Sequence, residues 1–294
     1  MSLDRIRLAS LHDKVMSAEQ AATFIQDGMT VGMSGFTRAG EAKAVPLALV
    51  KQAHSNPLKI TLITGASLGN DLDKKLTEAG VLARRLPFQV DNTLRKAINK
   101  GEVMFIDQHL SETVEQMRNL QLKKPDIAII EAIAITEDGG IIPTTSVGNS
   151  ASFAIFAEKV IVEINTNLSP AFEGLHDIYI PTYRPTRQPI PLTQVDERIG
   201  TTAINIDPSK IVGIVINSEH HDSPSTVTLP DDETQGIANH LISFFEAEVA
   251  AGRLPRSLGP LQAGIGSIAN AVLTGLKDSN FEDLVMYSEV LQDC

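Results

Sequence analysis

The 294-residue sequence has a single cysteine, Cys294, no tryptophan, and only 4% aromatic residues. One thiol cannot close an internal disulfide or build a multi-thiolate metal site, so nothing here requires an oxidising compartment, and a reduced, cytoplasmic setting is expected. No stretch reaches the roughly 18 apolar residues of a membrane span. The N-terminal MSLDRIRLASLHDKV mixes charges without an apolar segment, so neither a transmembrane helix nor a signal peptide is expected. Basic charge is also scarce: 25 Lys and Arg against 36 Asp and Glu give a formal net charge of -11. Phosphate contacts need clustered cations, and only short pairs such as Arg84 and Arg85 occur, which argues against nonspecific nucleic-acid binding.

What is present is a hydrophobic fraction of 43%, enough for a large core over a length of about two domains. Apolar runs of strand length alternate with segments of helical period. Ser17 caps a helix expected to run through Gln26, and TVGMS from Thr30 reads as a buried strand. A helix over 43–52, the strand KITLITG and a helix over 71–79 follow. EVMFID at 102–107, a helix over 111–120 opened by Ser111, and DIAIIEA at 126–132 continue the pattern. Strands apolar on both faces belong to a covered sheet, so the fold expected is α/β: an open, mostly parallel sheet with helices on both faces.

Asp138-Gly139-Gly140 has the turn chemistry of a hairpin, and Asn149 and Ser150 stand where they could cap the next helix. After KVIVEIN comes a proline-rich, aperiodic stretch from Leu168 to Pro191, expected to be an irregular excursion over the surface. KIVGIVIN at 210–217 is the last strong strand of the first domain. EHHDSPST at 219–226 reads as a linker in which His220 and His221 are solvated, with no further ligand cluster to suggest a metal. The domains expected are therefore 1–225 and an incomplete 226–294. The second opens with a helix over 232–251, whose Ile237, Leu241, Phe244, Phe245 and Val249 form an apolar stripe that should pack on something.

The most informative segment is LQAGIGSIANAVLTGL, a glycine turn opening a helix, followed by an apolar run that delivers Glu289. Gly264 and Gly266 permit turn geometry closed to most side chains, and the amides that follow point at any anion docked there. Two readings stay open on these residues. Gly264, Gly266 and Ala269 satisfy G-x-G-x-x-A, and Glu289 stands twenty residues further on, where a dinucleotide site places its ribose-binding acid. Against it, Pro255 and Pro260 leave only Leu261 to Ala263 as apolar strand. The other reading makes Glu289 a nucleophile beside an amide nest.

GMSGFTRAGEAKAVP, DGGIIPTTSVGNS and GIGSIANAV followed by MYSEVLQD, in this order over essentially the whole chain, resemble the acetyl-CoA hydrolase/transferase family. The resemblance is nearest to its succinyl-CoA:acetate and propionyl-CoA:succinate CoA-transferases. It implies a pair of similar α/β domains and a covalent glutamyl-CoA mechanism with Glu289 as nucleophile. It also implies an oxyanion and CoA turn at Gly264, Ile265 and Gly266, with the Ile265 N–H as donor, and an acyl-pocket wall at Gly35, Phe36 and Thr37. Coenzyme A is then a substrate and no cofactor is permanently bound. The partners implied are acyl-CoA and short-chain carboxylates of acetate and propionate metabolism, with a homodimer in full-length relatives. Family members continue beyond this point, so the resemblance also implies a truncated second domain, impaired activity of these 294 residues alone, or a noncatalytic half that needs a second chain.

Overall fold

The computed structural model describes residues 3–66, 68–194, 196–222 and 229–290. In chain order the elements are α1 (Ala18–Ala22), β1 (Thr30–Met33), α2 (Ala44–Ser55), β2 (Ile60–Ala66), α3 (Leu72–Glu78) and β3 (Leu82–Phe88). Then come α4 (Asn92–Asn99), β4 (Met104–Phe105), α5 (Leu110–Arg118), β5 (Ile127–Ile135), β6 (Ile141–Pro143) and α6 (Ser150–Phe156). The last are β7 (Lys159–Asn165), β8 (Ile211–Asn217), α7 (Asp232–Ala250), β9 (Pro260–Leu261), α8 (Ser267–Lys277) and β10 (Val285–Met286). Two compact units result: Met1–Pro191 with Arg198–Ser223, and Leu192–Glu197 with Pro224–Cys294.

The first unit is built on one sheet ordered β4-β3-β2-β1-β5-β7-β8, parallel throughout, with β6 added antiparallel to β5. The hairpin expected at Asp138-Gly139-Gly140 is the β5–β6 connection. β5 is buried at every position, and its residues alternate between two cores. Ile127 and Ile129 join the side covered by α1 to α4, while Ala128 and Ile130 join the side that takes Met117 of α5 and Phe153 of α6. Burying one such isoleucine contributes about 1.5–3 kcal/mol, so these rows fix the register of the sheet.

The chain runs outward from β1 through β2, β3 and β4, then returns to lay β5 against the other side of β1 and continues to β7 and β8. The order therefore reverses between β1 and β5. In open α/β sheets the crevice outside the carboxyl ends of the strands at such a reversal is where ligands bind.

Several local expectations change. The first helix ends at Ala22 rather than Gln26, with Ser17 and Gln20 forming a capping box. α5 starts from His109, without a side-chain cap, instead of from Ser111. The strand expected over 102–107 contracts to two residues. In the second unit α7 and α8 pack together and Phe245 meets Phe281 edge-on at 6.3 Å. Phe244 and Ile237 of the apolar stripe are exposed all the same.

Candidate functional site

At the reversal point the loop from β1 to α2 carries Gly35, Phe36 and Thr37, and close packing holds it. Phe36 N–H donates to the Ala39 carbonyl at 2.8 Å and Thr37 N–H to that of Ala66 at 3.1 Å, which ties the loop to the end of β2. A Cβ at Gly35 would stand 2.8 Å from both the Ala39 carbonyl oxygen and Glu41 Oε2, so only glycine fits. A Cβ at Gly69 would come within 2.5 Å of the Arg38 Cα, so the loops after β1 and β2 lie flush. Asn70 Nδ2 donates to Glu41 Oε1 at 2.6 Å and completes the lock.

Beneath this loop lies a buried charged cluster. Lys43 Nζ is 2.5 Å from Glu131 Oε2 and 2.7 Å from Asp222 Oδ1, and it donates to the Glu41 carbonyl at 2.6 Å. Glu131 also accepts from Thr144 Oγ1 at 2.7 Å and Asn165 Nδ2 at 3.2 Å. Glu163, on β7, accepts the backbone N–H groups of Lys43, Ala44 and Val45 at 2.8, 2.9 and 3.0 Å, so it caps α2, which has no side-chain cap of its own. A carboxylate there also complements the helix dipole.

Burial pushes the Glu131 carboxyl up to about 7, although Lys43 and Thr144 pull it down. Burial also opposes the charge on Lys43, but Glu131 and Asp222 outweigh it and hold the ammonium above the usual lysine range. Glu41 is fully buried; burial raises its pKa, and its Oε2 has no hydrogen-bond partner among the described residues.

A cavity of about 540 Å³ opens beside this loop. Thr37 (φ 54°), Asn70 (φ 55°) and Asp71 (φ 57°) line it in left-handed backbone conformation. Such geometry costs about 1–3 kcal/mol per non-glycine residue and gathers where a site demands it. His220 and His221 line the same cavity, His220 half-buried, so this stretch is more than the solvated linker expected. No group of three or more potential metal ligands occurs among the described residues. Asn149 does not cap α6 with its side chain. It donates its N–H to Ser34 Oγ at 2.9 Å and its amide to the Thr64 carbonyl at 3.2 Å, joining the ends of β1 and β2.

Glu289, Gly264, Ile265 and Gly266 belong to the second unit. There β9 and β10 pair in parallel, Val285 opposite Pro260 and Met286 opposite Leu261, and Tyr287 N–H donates to the Leu261 carbonyl at 2.8 Å. Ser288 Oγ donates to the Ala263 carbonyl at 2.9 Å and accepts the Ala263 N–H at 3.3 Å. This peg joins the residue before Glu289 to the residue before Gly264. Glu289 is exposed, and the Ile265 N–H makes no hydrogen bond to a described residue. Gly266, at φ 120°, has a backbone closed to side chains, whereas a Cβ at Gly264 would meet nothing within 4 Å. Local conformation therefore demands only one of the two glycines.

Sequence reasoning missed the cluster of Lys43, Glu131, Glu163 and Asp222. Part of the signal was there, because Glu131 and Glu163 are carboxylates in the middle of largely apolar strands.

The parallel sheet, its reversal-point crevice and the strand-turn-helix of the second unit define an α/β fold of the CoA-transferase type. Over 99% of this chain the backbone matches 58% of RipA from Yersinia pestis with a TM-score of 0.67 at 18% identity. A 4-hydroxybutyrate CoA-transferase from Porphyromonas gingivalis matches 97% of the chain and 56% of its own length with a TM-score of 0.56 at 18% identity. Residues 2–216 match the family described as acetyl-CoA hydrolase/transferase N-terminal domain, and the chain belongs to the acetyl-CoA hydrolase/transferase family. It is 45% identical to a succinyl-CoA:acetate CoA-transferase of Clostridium kluyveri over 98% of this chain and 54% of that protein. It is also 45% identical to an acetyl-CoA hydrolase of Kluyveromyces lactis over 99% of this chain and 57% of that protein. The chain thus spans a little more than half the length of these relatives.

Proposed function

We propose that this chain contributes the acyl pocket and the nucleophile of an enzyme that moves coenzyme A from a short-chain acyl-CoA to a carboxylic acid. The observation that supports the reading is the Ser288–Ala263 peg, which ties the residue before Glu289 to the residue before the glycine turn. In the reaction a Glu289 carboxylate oxygen attacks the thioester carbonyl, and the tetrahedral adduct expels CoA thiolate to leave a mixed anhydride. The thiolate attacks the glutamyl carbonyl, releases the first carboxylate and forms a glutamyl-CoA thioester. An acceptor carboxylate then repeats the two steps in reverse order and regenerates Glu289. Each addition builds an oxyanion, and a preorganised donor such as the Ile265 N–H is worth roughly 3–4 kcal/mol in a water-excluded site.

If water replaces the acceptor, the same intermediate gives net hydrolysis to CoA and the free acid. Relatives with both names support keeping hydrolysis as the second reading. Membership of the family favours CoA over a dinucleotide at the glycine turn. Acetate, propionate and succinate as acyl groups, a homodimer and a cytoplasmic setting belong to this proposal.

The test uses the chain alone and the chain completed to the length of its relatives. Each is incubated with acetyl-CoA or succinyl-CoA, reduced with borohydride and digested. Conversion of the residue 289 carboxyl to an alcohol is expected, and Glu289→Ala should lose it. Turnover that survives Glu289→Ala in the completed protein ends the proposal. Parallel titrations with NADH and CoA discriminate the dinucleotide reading.

A further inference from the structure

The stretch after β8, expected as a linker, is folded back on the sheet. Asn217, the last residue of β8, accepts the N–H groups of Glu219 and His220 at 3.1 and 2.9 Å, and its amide donates to the His220 carbonyl at 2.8 Å and to Glu163 Oε1 at 3.0 Å. The turn so fixed delivers Asp222 to the loop between β1 and α2. Asp222 Oδ1 stands 2.7 Å from Lys43 Nζ, while Oδ2 accepts the Gly40 N–H at 3.3 Å and the Thr145 hydroxyl at 3.4 Å. The Lys43 ammonium in turn donates to the Glu41 carbonyl at 2.6 Å. One ion pair therefore holds the Gly40–Glu41 segment by both kinds of backbone group, its anion on an N–H and its cation on a C=O.

We infer that Asp222 is a positioning residue for the proposed acyl pocket, clamping the loop of Gly35, Phe36 and Thr37 from its far end. The loop needs such a clamp. Gly40 has φ 77°, and a Cβ there would collide with Ser146 Oγ, so the bend admits only glycine and has no side chain of its own to hold it. Ser146 Oγ adds a neutral hydrogen bond to the Ala39 carbonyl at 3.0 Å. Asp222 and Lys43 add charge-assisted ones, which are stronger. Loss of Asp222 would leave Lys43 paired with Glu131, 2.5 Å away, so the buried cation stays neutralised. The effect of that loss is therefore local to the loop.

The inference rests on the acyl-pocket reading of Gly35–Thr37, and its test separates the two. Wild type, Asp222→Ala, Asp222→Asn and Phe36→Ala, each completed to the length of the relatives, are assayed with succinyl-CoA saturating and acetate varied. Asp222→Ala should raise the acetate KM about tenfold at unchanged kcat, because a loosened wall weakens binding in ground and transition state alike. A merely structural role would lower the folded fraction, and with it the apparent kcat, at unchanged KM. Asp222→Asn keeps one oxygen for the Gly40 N–H and should recover part of the loss. Hydrogen exchange reads the clamp without turnover. In Asp222→Ala the amides of Phe36 and Thr37, whose own acceptors Ala39 and Ala66 remain, should exchange faster while the centre of β5 does not change. The inference is overturned by unchanged exchange at Phe36 and Thr37, by a fall in kcat alone, or by an acetate KM that Phe36→Ala raises and Asp222→Ala does not. An acetate KM insensitive to Phe36→Ala sinks the acyl-pocket reading, and faster exchange at Phe36 and Thr37 then still upholds the clamp.

Discussion

Glu131 and Glu163 occupy the same register position on neighbouring parallel strands, and one residue, Lys43, keeps both in place. Its ammonium takes Glu131 while its backbone N–H takes Glu163. Like charges directly opposite on a sheet destabilise it, so the pair persists only through these separate partners. Replacing Lys43 by Met leaves the buried Glu131 and the half-buried Asp222 without their cation. Loss of one partner of a buried pair costs about 3–5 kcal/mol, and urea unfolding should report it as a lowered midpoint.

The proton on Glu131 gives a second expectation. Its carboxyl holds a proton up to about 7 in the folded chain, against an ordinary value of 4.5. The folded state therefore binds more protons between these limits, and stability falls as pH rises from about 4.5 to about 7, by roughly 3 kcal/mol. Other carboxylates titrate in the opposite sense, so the difference between wild type and Glu131→Gln isolates the effect. Melting temperatures of the variant should fall less over this range. Parallel curves would show that the proton lies elsewhere.

Glu163→Ala strips three helix amides and the Asn217 side-chain amide of their acceptor. A lost cap with buried donors left unmatched costs about 3 kcal/mol. Hydrogen exchange should show the amides of Lys43, Ala44 and Val45 losing more protection than the centre of β5.

The glycines separate by environment. Gly69→Ala forces a methyl onto the Arg38 Cα and should lower the melting temperature by several degrees or prevent folding, whereas Gly264→Ala meets open space and should melt like wild type. Glu289→Gln, at an exposed position, should also stay within about 0.5 kcal/mol of wild type. Any loss of labelling in that variant is then chemical rather than structural.

Much of the sheet was legible because β1, β2, β5, β7 and β8 are apolar runs of strand length. β3 escaped because LARRLPF looks basic and interrupted. Arg85 sits buried within it, neutralised by Asp73 and hydrogen-bonded to Thr64, a compensation that no local pattern reveals. The turn at 264–266 and Glu289 could be picked out by spacing. The cluster under the β1–α2 loop showed only its two strand carboxylates, Glu131 and Glu163, since its members run from Lys43 to Asp222 and meet only through strand order. The exposed Phe244 shows the opposite limit: helical periodicity says which side chains share a face and nothing about what covers it.

The reach of Glu163 has a consequence for biogenesis. A nascent chain leaving the ribosome presents residues 34–45 long before residue 163, so the hairpin-like loop after β1 has no carboxylate to organise it until β7 emerges and docks. Partial products that stop short of that strand should carry the first turn of α2, Lys43 to Val45, uncapped and more open to proteases and to chaperones alike.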